Sequence, residues 1–203
     1  YLGLYATPVT LNDALRGRIE IEKTVYQHTS GIDVIPASLR LQDYKGVRWE
    51  KMKRVVSWIF DDYDFIILDS APTFSREAIT ALEICDETLL VTNPIVHSVA
   101  DVIKCKSLAE QNKVRPLGIV LNMVRNKSFE LKRDEVEEMV GLPVIASIPY
   151  DEKITESIVS KMPAINYNIS NINNSFRKVA GFLAGEVVEE KRGILSRIAD
   201  FFK

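Results

Sequence analysis

Runs of apolar residues of two distinct lengths alternate along most of this chain. Short unbroken runs read as strands covered on both faces, and longer stretches with a three-to-four spacing read as helices with one buried side. The clearest short run is Phe65-Ile66-Ile67-Leu68, which meets Asp69-Ser70-Ala71-Pro72 without a break. Further runs are Ile32-Asp33-Val34-Ile35-Pro36-Ala37, Thr88-Leu89-Leu90-Val91-Thr92, Leu117-Gly118-Ile119-Val120-Leu121 and Leu142 to Pro149. Between them lie helical patterns. Thr10 caps a short helix that Gly17 ends, Val47 to Phe60 is amphipathic, and Ser75 caps a helix through Leu82. Val99, Val102, Ile103 and Leu108 mark a further helix, and the charged residues 130–139 another. Residues 163–175, rich in Asn, Ile and Ser, read as an exposed connection before a last helix with Phe176, Val179, Ala180, Phe182 and Leu183.

Strands alternating with helices predict an α/β fold, a mainly parallel sheet flanked by helices on both faces. Most strands end in a polar or turn residue: Asp69, Asn93, Asn122, and Tyr150-Asp151 after Pro149. In a parallel sheet these residues fall on one edge, the carboxyl edge, where open α/β sheets bind ligands. A carboxylate at the end of a buried strand is suited to hold a magnesium shell beside a phosphate.

Composition narrows the reading. The chain has 203 residues, 46% of them hydrophobic, which suits one domain with a full core. A net charge of −2 excludes the basic excess of a general nucleic-acid binder. Cys85 and Cys105 lack the spacing of a metal site or a disulfide framework, and His28 and His97 show no ligand spacing. No apolar run approaches the ~20 residues of a membrane span, and no signal-peptide pattern stands at Tyr1. The first residue is not methionine, which suggests a processed, trimmed or partial chain.

A phosphate-binding loop needs glycines at a helix start, so that backbone N–H groups can face the anion. The nine glycines, at 3, 17, 31, 46, 118, 141, 181, 185 and 193, open no G-x-x-x-x-G-K-[ST] match. Two explanations stand: the front of the domain has been cut away, which is the favoured one, or the chain is a relative that binds no nucleotide.

The ordered set Pro8-Val9-Thr10-Leu11-Asn12-Asp13-Ala14-Leu15, Val34-Ile35-Pro36-Ala37, Asp64 to Pro72, Arg76-Glu77-Ala78, Val91-Thr92-Asn93-Pro94 and Val120-Leu121-Asn122 resembles the MinD/ParA family, and its MinD-like ATPases most closely. The resemblance implies a P-loop NTPase-like domain over 1–185 whose N-terminal βαβ unit is absent. It also implies ATP and Mg as cofactors and ATP hydrolysis, for which the chain as given would not be competent alone. On that resemblance Asp69 is the catalytic carboxylate and meets magnesium through water, Asn122 contacts the base, and Pro149, Tyr150 and Asp151 line it. Thr73, Ile95 and Met123 depart from the family's usual residues, which implies slowed or altered hydrolysis. The implied partners are a second copy of the chain when ATP is bound, a protein cargo or activator, and a membrane surface. Nucleic acid is not expected.

Residues 186–203 read as a linker and an amphipathic helix. At helical period Ile194, Leu195, Ile198, Phe201 and Phe202 share one face, and Lys191, Arg192 and Arg197 supply cations. Apolar residues opposite cations suit a helix lying on anionic lipid, and the segment resembles the family's membrane-targeting helix. The implied place is the cytoplasm, peripherally on the inner face of the cell membrane, in a role such as division-site positioning. A nucleotide-free scaffold of the same fold and a ParA-like DNA-partitioning ATPase are the rival readings.

Overall fold

The computed structural model describes residues 7–71, 74–167 and 169–186. Pro72, Thr73, Asn168 and the predicted membrane helix over 191–203 lie outside them.

The carboxyl-terminal half is a three-stranded parallel sheet, β3 (Glu87–Thr92), β4 (Arg115–Val124) and β5 (Val144–Pro149), in that spatial order. The crossover helices are α4 (Val96–Gln111) and α5 (Arg133–Val140). Ile119, Val136 and Val144 are fully buried between the layers with Val99, and Leu90, Leu121 and Val140 complete this core. Near-continuous apolar strands fit a sheet with helices against it. After β5 come α6 (Glu152–Val159) and α7 (Ser170–Leu183).

The amino-terminal half is smaller. It contains α1 (Leu11–Arg16), a hairpin of β1 (Tyr26–Gln27) and β2 (Asp33–Val34), and α2 (Met52–Ser57). Gly17 ends α1 in the left-handed conformation, φ 76°, as its position predicts. Ala14, Ile21 and Ile59 form the local core, with Ile35, Val55 and Ile66 against it. α3 (Arg76–Ile84) then leads to the sheet, its first turn capped by Ser75 Oγ accepting the Ala78 N–H at 3.3 Å.

Four expectations change. Ile32 to Ala37 does not join the parallel sheet, because Asp33–Val34 pairs locally and antiparallel with Tyr26–Gln27 across a turn through Gly31. The predicted helix over 47–60 breaks into a 3₁₀ turn at Trp49–Lys51, the short α2, and a second 3₁₀ turn at Phe60–Asp62. Residues 163–175 are not an exposed connection: α7 begins at Ser170 and Ile172 is fully buried. Asn173 Nδ2 donates to Ile165 O at 3.0 Å and Ser175 Oγ to Ser147 O at 2.8 Å, so polar residues that read as loop in fact dock the helix.

The fourth concerns Phe65 to Asp69. It takes part in no ladder, and residues 64–71 make no backbone–backbone hydrogen bond among the described residues. Phe65 is 60% and Ile67 80% exposed, whereas Ile66 and Leu68 are partly covered. The run was predicted to be covered on both faces; one side is open.

Candidate functional site

Because β3, β4 and β5 are parallel, their carboxyl ends share one edge. Asn93 follows β3, Asn122 lies near the end of β4 where its register with β5 shifts, and Tyr150 follows β5. The edge predicted from strand endings is therefore formed by these three strands. The segment 64–71 reaches the same place: Ser70, Asn93 and Asn122 all line one cavity of about 710 Å3.

That cavity has two parts of different chemistry. Its apolar lining comes from α3 and α4 beside the edge strand β3, with Ala78, Leu82, Val102 and Leu108, and from Leu68. An apolar slot thus lies between the unpaired edge of β3 and a segment that joins no ladder among the described residues. Its mouth is polar and carries the Ser70 hydroxyl and the two asparagine amides. Cys85 and Cys105 also line the cavity, and burial pushes both thiols up from their ordinary range. Protonated thiols are poor nucleophiles and poor metal ligands.

Asn122 is aimed by a defect in the sheet. Leu121 pairs with Ser147 and Val124 with Pro149, so two residues of β4, Asn122 and Met123, oppose the single residue Ile148. Met123 takes φ 57°, a left-handed conformation that costs a non-glycine residue ~1–2 kcal/mol. Asn122 Oδ1 accepts the Met123 N–H at 3.0 Å, which holds the bulge from within. The amide NH2 of Asn122 keeps its donors, with no protein partner among the described residues. Bulges of this kind re-aim side chains beside functional sites, and strain of this kind persists where surroundings over-determine it.

The loop after β5 is anchored to the same bulge. Tyr150 N–H donates to Val124 O at 2.9 Å. Asp151 has a local task, since its Oδ1 accepts Lys153 N–H at 2.9 Å and caps α6. One carboxylate oxygen is thereby used in the fold. Leu131 N–H donates to Pro94 O at 2.8 Å, which ties the loop after β4 to the one after β3.

Asp69 is exposed on the segment that brings Ser70 to the mouth. Among the described residues no group of three or more His, Cys, Asp or Glu could hold a metal ion by itself. Sequence reasoning named Met123 without its conformation and did not name Arg125. Met123 carries the bulge conformation, for which methionine gives no signal. Arg125 meets Tyr150 only across two strands, so no local pattern could reveal it.

Comparisons with known proteins agree with this geometry. The ParA family, described as "NUBPL iron-transfer P-loop NTPase", matches residues 45–184. Two uncharacterized ATP-binding proteins of Methanocaldococcus jannaschii are similar. One is 32% identical over 87% of this chain and 67% of its own length. The other is 29% identical over 100% of this chain and 78% of its own length. Among solved structures, the cell division ATPase MinD of Pyrococcus furiosus superposes with a TM-score of 0.86 at 27% identity, covering 91% of this chain and 78% of that one. A parallel α/β sheet with its polar carboxyl edge, matched by the family over most of its length, makes this chain a member of the ParA family of P-loop NTPases, with the MinD-type fold.

Proposed function

We propose that this chain is the greater part of an ATP-binding and ATP-hydrolysing switch that dimerises on ATP and attaches to anionic membrane from the cytoplasmic side. The observation that carries the nucleotide reading is the strained bulge at Asn122-Met123, which turns an amide toward a polar mouth at the carboxyl edge. A strand that merely ended there would not need it.

In this reading Asn122 donates to the base, and Pro149, Tyr150 and Asp151 line it. Asp69 holds a magnesium ion through water. A lone carboxylate fits that ion, because magnesium keeps most of its waters and takes its other ligands from phosphate. Bound Mg-ATP would supply the reacting phosphoryl group and the charge that neutralises it. The chain's own part is to orient the base and anchor the metal shell. In this reading the slot beside Leu68 and β3 takes a further strand that carries the phosphate loop. Support for that is the apolar slot with unpaired backbone on both sides.

The tail couples this pocket to lipid. Each large apolar side chain contributes up to ~1.5–3 kcal/mol on full burial, and each cation about 1 kcal/mol near anionic lipid. Ordering so short a helix opposes both. One tail holds weakly, and two tails joined in a dimer hold much more tightly through effective concentration.

The test is co-sedimentation of the full-length protein with anionic liposomes. Binding in MgATP that falls in MgADP supports the switch; equal binding in both removes it. Absence of magnesium-dependent ATP binding makes the protein a nucleotide-free scaffold, and salt-sensitive DNA binding makes it a partitioning ATPase.

A further inference from the structure

Arg125 and Tyr150 meet at the carboxyl edge. Val124 and Pro149 are register partners, so the residues after them, Arg125 and Tyr150, emerge side by side. The Arg125 guanidinium lies over the Tyr150 ring, its central carbon 3.9 Å from the ring centre. At that distance the cation is in contact with the ring face. The arginine backbone is fixed as well. Both oxygens of Glu130 accept the Arg125 N–H, at 3.0 and 3.1 Å, and one of them also accepts the Lys127 N–H at 3.2 Å. The stack is open to solvent, with Tyr150 41% exposed. It stands on the same strand end as Asn122, three residues away across the bulge.

We propose that Arg125 is a base-stacking residue: the purine of the bound nucleotide lies on the outer face of its guanidinium, with Tyr150 behind as the third layer. The proposal rests on the nucleotide reading above and adds to it a residue and a source of base discrimination. A guanidinium is planar, weakly hydrated on its faces, and stacks on aromatic rings and nucleobases alike. Tyr150 presets its plane, so little side-chain freedom remains to be lost when the base arrives. Stacking responds to ring area and not to edge groups. Arg125 therefore favours purine over pyrimidine, while the Asn122 amide reads the edge.

The experiment titrates the full-length protein with MgATP, MgCTP and magnesium tripolyphosphate by calorimetry. Wild type, Arg125→Ala and Arg125→Lys are compared, with thermal unfolding confirming that each variant folds. Expected are tighter binding of ATP than CTP by wild type, and a five- to twenty-fold loss for ATP in Arg125→Ala. The ATP and CTP affinities should then converge, with tripolyphosphate unchanged within two-fold. Arg125→Lys, which keeps the charge and loses the plane, should resemble Arg125→Ala. A parallel loss for tripolyphosphate, or full rescue by lysine, makes Arg125 a phosphate-directed charge and overturns the stack. Unchanged ATP affinity in both variants overturns it while leaving the nucleotide reading intact. A wild-type protein that binds no MgATP overturns both.

Discussion

Replacing Gly118 by alanine tests whether β4, the strand that carries Asn122, is as tightly set as its register implies. Gly118 has φ 155°, and a Cβ built there stands 2.7 Å from Pro143 O, 2.7 Å from Ile145 Cδ1 and 2.9 Å from Ile145 Cγ1. None of these neighbours can yield cheaply. Pro143 O accepts the Ile119 N–H at 2.9 Å, so moving it breaks the start of the β4–β5 pairing. Ile145 is only 6% exposed and is the extra residue where the two strands shift register between Ile119 and Val120. Overpacking of this kind costs ~1–3 kcal/mol, and an unfavourable φ adds to it. Gly118→Ala should thus destabilise by about 3 kcal/mol, which for a chain of this size lowers Tm by roughly 6–12 °C. Thermal unfolding by circular dichroism and a urea midpoint at unchanged slope are the measurements. Gly46→Ala is the control. Gly46 has φ 73° but nothing within 4 Å of a built Cβ, so that variant isolates backbone strain, about 1 kcal/mol. If both variants melt within about 2 °C of wild type, the close approach of Ile145 and Pro143 to β4 is not a constraint and the argument fails.

Two further outcomes follow from other parts of the chain. Glu137 Oε1 accepts the Val144 N–H at 2.8 Å and the Arg133 Nε–H at 3.1 Å, and these bonds, the backbone one first, hold its carboxyl below the usual glutamate range. A depressed folded value gives stability that is present above the unfolded pKa, about 4.3, and lost as pH falls through the lower folded value. Glu137→Gln should flatten that acid limb in urea midpoints taken on descending pH, and identical limbs in both proteins would refute the assignment. Phe201→Asp or Ile198→Asp should abolish liposome co-sedimentation while leaving Tm unchanged; a fall in Tm would show the tail to be part of the core instead.

Much of the architecture was legible in local patterns. Apolar runs marked β3, β4 and β5, Ser75 and Gly17 marked the ends of helices, and the polar residues after the strands marked the edge on which Asn93, Asn122 and Tyr150 stand. These signals are carried by neighbours in sequence: a period, a cap, a residue that tolerates a left-handed turn. Residues 163–175 defeated the same reasoning, because asparagine and serine favour loops by propensity while Ile172, buried through tertiary packing, kept them in α7. Phe65 to Leu68 defeated it differently. Four apolar residues announce a buried strand, but whether a strand forms depends on a partner edge, and none lies beside it among the described residues.

The sequence by itself therefore determined the alternation of β3, β4 and β5 with their helices, the parallel character of that sheet and which of its strand tips carry polar groups. Only the tertiary structure decided the bulge that puts Met123 in a left-handed conformation, the slot along β3, and the meeting of Arg125 with Tyr150. The physical reason is that pairing register and open edges are properties of two segments at once. A side chain's contact across strands is set by hydrogen bonds that neither segment makes alone.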